Sequence, residues 1–148
     1  MAKRRKRKQR NRVVGARPAG PDHQVVTITG QGEAGYCTRP CPQCPWRKDQ
    51  AGSFPAEAFR HSANTAYDMD QHTFACHMAG VENPKICAGF LLNGAAHNMT
   101  IRLAVIRDEI DLDKVTDGGH ELHESYRAMA EANGVPPDDP ALAPCREP

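Results

Sequence analysis

Six cysteines in 148 residues, two of them in the run CPQCPWRKD at residues 41–49, constrain this chain more than any helix or strand signal it carries. A C-x2-C turn brings the sulfurs of Cys41 and Cys44 to one side, where they can grip one metal ion or two corners of a cluster. Two further ligands complete a closed site. Cys76 follows after 31 intervening residues and Cys87 after 10 more, so Cys41, Cys44, Cys76 and Cys87 together offer four thiolates. That set suits tetrahedral zinc, and it equally suits a 4Fe-4S cluster. Zinc is the first expectation and the cluster the alternative.

The remaining thiols and the nearest histidine rank behind those four. His77 stands next to Cys76, and neighbours in an extended chain point to opposite faces, so the two are not expected to share one ion. His77 is a candidate to replace a cysteine or to hydrogen-bond a thiolate, with plain solvent exposure as the competing reading. Cys37 makes a C-x3-C-x2-C run available, yet four ligands are present without it. Cys145 lies in a proline-rich tail. For Cys37 and Cys145 an uncoordinated thiol is expected. Burial as small apolar side chains is the bland explanation for all six. It is weakest for Cys41 and Cys44, whose loop is polar and bracketed by proline.

Reading six cysteines as metal or redox chemistry presumes a reducing compartment, where disulfides do not persist. No run approaches the eighteen apolar residues needed to span a bilayer, and the basic start is not followed by an apolar segment with a cleavage site. A cytoplasmic protein with no membrane partner is therefore expected. With 39% apolar and only 5% aromatic residues, one modest domain is expected, in which a bound ion makes up for a thin aromatic core.

Charge divides the chain in two. Residues 1–20 hold nine Lys or Arg and no acid, whereas the rest holds ten basic against eighteen acidic side chains. The stretch MAKRRKRKQRNRVVGARPAGPD lacks hydrophobic periodicity and repels itself, so residues 1–22 are expected to form a disordered basic arm. Its Lys3, Arg4, Arg5, Lys6, Arg7, Lys8, Arg10 and Arg12 are candidates to hold nucleic-acid phosphates without sequence preference. Docking on the chain's own acidic body, docking on an anionic membrane, which the lack of an apolar anchor disfavours, and a merely solubilising tail are the alternatives.

Residues 23–135 are expected to form the domain, of α+β class and mostly α-helical, with residues 136–148 as a Pro-rich tail along the surface. HQVVTITG reads as one strand. FPAEAFRHSANTAYDM reads as a helix opened by Pro55, with Phe54, Ala58, Phe59, Ala63 and Ala66 on one face. HTFACHM is expected to be extended. ICAGFLLNGAAHNMTIRLAVIRDEI reads as mostly helical core interrupted at Gly94. GGHELHESYRAMAEANGVPP reads as a last helix, stopped by Gly134 in the C′ position and by Pro136 and Pro137.

CPQCPWR, FACH and CAGFL, in that order and at about these distances, resemble a domain of unknown function found in small proteins of actinobacteria and their phages. The resemblance spans roughly residues 37–103 and touches Cys41, Cys44, Cys76, His77 and Cys87, with Cys37 and Cys145 outside the pattern. It implies a metal-binding cysteine set and brings no activity with it.

No catalytic residue is singled out. HELHE sets His120 and His123 three apart where a metalloprotease helix needs four, which excludes that chemistry; capping or solvent contact at a helix start is expected of them. His97 is read as a polar point on a helix. GQGEAG, with Gly30, Gly32 and Gly35, is not followed by an apolar helix and makes no phosphate loop. Trp46 is expected to lid the metal loop, with base stacking as its functional alternative, and Arg39, Arg47 and Lys48 to offset thiolate charge. The expected function is thus a structural four-cysteine zinc site joined to a nucleic-acid-binding arm. The alternatives are an Fe-S protein with a redox-sensing or enzymatic role, and an interaction module for a host or cellular protein.

Overall fold

The computed structural model describes residues 12–20, 23–29, 35–79 and 84–145. Two strands open it, β1 (Arg12–Gly20) and β2 (His23–Thr29), paired antiparallel from Arg12 opposite Thr29 to Gly20 opposite His23. A two-residue strand, β3 (Thr73–Phe74), adds to the other edge of β2, with Thr27 opposite Phe74. β2 is the strand expected from HQVVTIT. β1 corrects part of the expected disordered arm: across Arg12–Gly20 an antiparallel partner supplies the backbone hydrogen bonds that the charge pattern gave no hint of, and Pro18 is tolerable because β1 is an edge strand. Lys3, Arg4, Arg5, Lys6, Arg7, Lys8 and Arg10 lie outside the described residues, as do Gly30 and Gly32.

The rest of the described chain is mostly helical. Helix α1 (Ala56–Ser62) begins after Pro55, whose carbonyl accepts from Ala58 N–H at 3.0 Å, and runs on into a 3₁₀ turn, Ala63–Ala66, that buries Ala63, Thr65 and Ala66. Helix α2 (Ala88–Asn93) is buried at Ala88, Gly89, Phe90 and Leu91 and stops at Gly94, whose N–H donates to Phe90 O at 2.8 Å. Gly94 is thus the interruption the sequence implied. Helix α3 (Met99–Ile106) is capped by Asn98, whose side-chain oxygen accepts from Ile101 N–H at 3.2 Å while its amide donates to His72 O at 2.7 Å. His97 is buried just ahead of that cap rather than displayed on a helix.

The last helix, α4 (Tyr126–Ala132), starts six residues later than its sequence pattern suggests. Leu122 is held instead in a bridge with Arg47, and Ser125 is the true cap, accepting from Ala128 N–H at 3.1 Å. Its other end follows expectation. Gly134 takes a φ of 94°, Gly134 N–H donates to Glu131 O and Val135 N–H to Ala130 O, both at 3.1 Å, the paired closure that a left-handed C′ residue allows.

The tail is a second correction. Leu142 is fully buried, Cys145 bridges Tyr67, and Tyr67 Oη donates to Ala141 O at 2.8 Å. Arg127 reaches across to Leu142 O and Cys145 O, and Arg60 pairs with Asp139 at 2.9 Å. Prolines kept this stretch from reading as an element, but a run of turns buries side chains as well as a helix does.

A third correction concerns the core. All four phenylalanines, Trp46 and Tyr126 join in one network, with Trp46 at its centre, 6.1 Å from Phe74, 6.3 Å from Tyr126 and 6.5 Å from Phe90 between ring centroids. The aromatic residues are few but concentrated, so the aromatic core is less thin than the composition suggests. Trp46 has no exposed surface, which removes base stacking and makes it a core anchor rather than a lid. Two glycines of α2 and its cap make room for it: a Cβ at Gly89 would stand 2.4 Å from Trp46 Cβ, and one at Gly94 2.5 Å from the far edge of the indole.

Candidate metal centre

Two pieces of backbone bring the thiols together. The first is the Cys41–Cys44 turn, closed by Cys44 N–H donating to Cys41 O at 3.0 Å and continued by Arg47 N–H donating to Cys44 O at 3.1 Å. Arg47 ties it off from outside, with its guanidinium donating to Cys41 O and Pro42 O while it clasps Asp49. The burial of Trp46 fixes the turn to the core.

The second piece is a short irregular ladder centred on Ile86. Ile86 pairs with Tyr36 on one side and Ala75 on the other. Cys37 N–H donates to Ile86 O at 2.9 Å, Cys76 N–H to Lys85 O at 2.7 Å and Cys87 N–H to Phe74 O at 2.9 Å. Each of the three paired residues is followed at once by a cysteine; because Ala75 runs antiparallel to Ile86, Cys76 stands level with Lys85 and Cys87 with Phe74, while Cys37 leaves its parallel pairing in the same direction as Cys87.

Five of the six thiols lie near one another: Cys37 and Cys41 are close enough to Cys76 to perturb its ionisation, and Cys41 and Cys44 perturb each other's. Cys44 Sγ lies 3.5 Å from Cys87 Sγ, too far for a disulfide bond of about 2.05 Å. Cys44, Cys76 and Cys87 are buried, whereas Cys37 and Cys41 are partly exposed. Of the four thiols anticipated as ligands, Cys44 and Cys87 are in contact, and Cys41 and Cys76 perturb one another's ionisation, as Cys37, expected to be a spare, does with Cys76. The sequence offered C-x3-C-x2-C as a signal for Cys37, but its meeting with Cys76 depends on the pairing around Ile86, which no spacing reveals. Among the described residues, no three or more Cys, His, Asp or Glu side chains are set to hold a metal ion as they stand; the thiols meet pairwise rather than around one point.

Backbone amides aim at these sulfurs. The backbone N–H groups of Gln43, Trp46 and Met78 with Ala79 lie where they lower the pKa of Cys41, Cys44 and Cys76 respectively. Such donors favour the charged thiolate. Cys76 benefits most: contacts from Cys37 and then Cys41 hold its pKa far below the usual thiol value. Its neighbours are driven the other way. The contact with Cys76 and then burial raise Cys37, and contacts with Cys44 and then Cys76 raise Cys41. Cys44 is pulled down by Cys41, but Cys87 and burial outweigh that and push it up to about 12. One thiolate therefore forms readily and those of Cys37, Cys41 and Cys44 form against it, a repulsion that a bound cation relieves.

The other singled-out residues stand elsewhere. His77 is exposed, its ring edge-on to Phe54 at 5.3 Å, while Cys76 beside it is buried. Cys145 is buried against Ala63 O at 3.7 Å, apart from the five, and burial pushes its thiol up to about 11. His123, expected at a helix start, is buried ahead of one, its N–H donating to Trp46 O at 2.9 Å.

A small, mostly helical domain that gathers five thiols from a C-x2-C turn and a three-chain ladder is the class these features define. The chain belongs to DUF6283, a family of unknown function, which it matches over residues 36–146. The match starts just before Cys37 and runs past Cys145, so it takes in the buried tail as well as the 37–103 span that the motifs suggested. No curated protein and no solved structure matches the chain.

Proposed function

We propose that this is a small metal-binding protein in which Cys41, Cys44, Cys76 and Cys87 hold one zinc ion as a structural staple, and whose basic first residues hold nucleic-acid phosphates. The observation that carries the staple is the 3.5 Å approach of Cys44 Sγ to Cys87 Sγ, in a neighbourhood where Cys41 perturbs the ionisation of both Cys44 and Cys76. A tetrahedron with Zn–S bonds of about 2.3 Å has sulfurs about 3.8 Å apart, close to the 3.5 Å between Cys44 and Cys87. In a four-iron cluster each cysteine caps its own iron and the sulfurs stand further apart, so the spacing favours a single ion. The reading places the protein in a reducing cytoplasm, where the thiols stay available.

For the arm, support comes from the nine basic side chains and no acid in residues 1–20. Each Lys or Arg that meets a phosphate releases counterions and needs no fixed fold.

The test is the metal content and absorption spectrum of protein purified without oxygen, beside a Cys44→Ala variant. One zinc per chain, no visible band and loss of zinc in the variant are expected. A broad visible band with iron would replace zinc by a cluster, and protein without metal would overturn the reading.

A further inference from the structure

Cys44 Sγ and Cys87 Sγ stand 3.5 Å apart inside the core. A disulfide bond between them needs about 1.5 Å of further approach, shared by two side chains. The segments that carry the two sulfurs are already locked together. Trp46, two residues after Cys44, packs against Gly89, two residues after Cys87, so closely that an added Cβ there would stand 2.4 Å from Trp46 Cβ. Cys87 itself caps the head of α2. Both sulfurs therefore lie at the edge of one packing unit, made from segments 43 residues apart.

We propose that Cys44 and Cys87 are a redox pair, a dithiol that closes to a reversible disulfide by exchange with a small-molecule disulfide. The pair needs no bound ion. Where the four-cysteine staple also holds, oxidation withdraws two of its ligands and releases the ion.

Both sulfurs of the pair are buried, so oxidising equivalents enter elsewhere. Cys41 is partly exposed and stands three residues before Cys44, in a turn closed by Cys44 N–H donating to Cys41 O at 3.0 Å. Such a turn keeps its end Cα atoms within about 7 Å, near the reach of a disulfide. Cys41, as thiolate, attacks the small disulfide R–S–S–R and one RS⁻ leaves. Cys44 then attacks Cys41 and expels the second RS⁻, and Cys87 attacks Cys44 and returns Cys41 to a free thiol. In sum, two protein thiols and one small disulfide become one protein disulfide and two small thiols. Two electrons pass to R–S–S–R, and the two protein protons end on the RS⁻ groups. In a reducing compartment the pair rests open, and it closes as the small-thiol pool becomes oxidised. Closure bolts the Cys41–Cys44 turn to the head of α2 and constrains the unfolded chain more than the folded one, so the oxidised form is the more stable.

The full chain, freed of metal by a chelator, is equilibrated with graded ratios of reduced to oxidised glutathione, alkylated, and mapped by peptide mass spectrometry. A linked peptide joining Cys44 to Cys87 is expected, reversed by dithiothreitol, and the oxidised protein should melt several degrees above the reduced one. Cys41→Ser should slow closure by about tenfold or more and leave the glutathione ratio at half closure unchanged, because it removes the entry point and neither end of the bond. Cys44 and Cys87 that stay unlinked even in fully oxidised glutathione overturn the pair, and so does a Cys41–Cys44 link that never passes to Cys87. Equal melting temperatures of the two forms overturn the bolt, and equal closure rates in Cys41→Ser and wild type overturn the entry at Cys41. Zinc content is measured before chelation, so a chain without zinc counts against the staple and not against the pair.

Discussion

Trp46 shows how single residues set this structure. It lies two positions from a candidate ligand, and its ring occupies a slot that exists because residues 89 and 94 lack side chains. The two motifs CPWR and CAGFLLNG are thus one packing unit, a key and its lock, which their separation in sequence hides. Gly89→Ala should cost roughly 1–3 kcal/mol or more. Gly94→Ala should cost less, because the indole's far edge can tilt whereas Trp46 Cβ is fixed to the backbone. Urea midpoints measure the order, and two wild-type midpoints would refute the slot. His123 gives a pH dependence. Burial, and then the Lys48 charge, hold its imidazole below 6.5. The unfolded chain therefore takes up the proton first: His123 is neutral in both states above about pH 7, and its contribution falls as pH drops through about 6.5, levelling off below the folded pKa. His123→Gln should accordingly lose less stability than wild type between about pH 7 and about pH 5, in paired melts at each pH.

At the scale of elements, legibility followed how local the cause was. Helix α2 with its break at Gly94, helix α3 and the Gly134 stop are written in neighbouring residues, and they stand where periodicity put them. Helix α4 lost its first turns because Leu122 found a partner in Arg47, 75 residues back in the chain, and distance of that kind has no local signature. The same holds for the site. The turn at Cys41 and Cys44 is a local motif, and Cys87 meets Cys44 across 43 residues of chain. Cys37 enters through a pairing across Ile86 that spacing does not encode. The tail is the largest miss: Pro-rich composition says nothing of Leu142, which lies wholly inside. Leu142→Ala should cost about 2–5 kcal/mol, as large-to-small changes in a closed core do. A chain ended after Asp138 should lose more, since the Asp139 partner of Arg60 and the Cys145 bridge to Tyr67 go with it. Thermal melts of the two proteins test this, and a truncated chain as stable as wild type would return the tail to the surface.

For the whole molecule, the question is how much of its stability an ion supplies. The aromatic network gives the chain a core of its own, so metal removal should loosen the protein without unfolding it. An ion that binds the folded state at a hundred times its Kd adds about 2.7 kcal/mol. Chelation should therefore lower the melting temperature by several degrees, and the Cys44→Ala variant should show no further drop when chelator is added. Charge sets the other whole-molecule property. Beyond residue 20 the chain carries eighteen acids against ten bases, so the body repels a polyanion and any affinity must come from the arm. The seven basic residues ahead of β1, from Lys3 to Arg10, can meet at most seven phosphates. On duplex DNA they limit the slope of log affinity against log salt to about −6. Replacing all seven by glutamine should flatten the slope to near zero and abolish binding at moderate salt, for duplexes of unrelated sequence alike. If the arm instead lies on its own acidic body, wild type will bind duplex weakly, with little salt slope, and the glutamine variant will lose thermal stability instead of affinity.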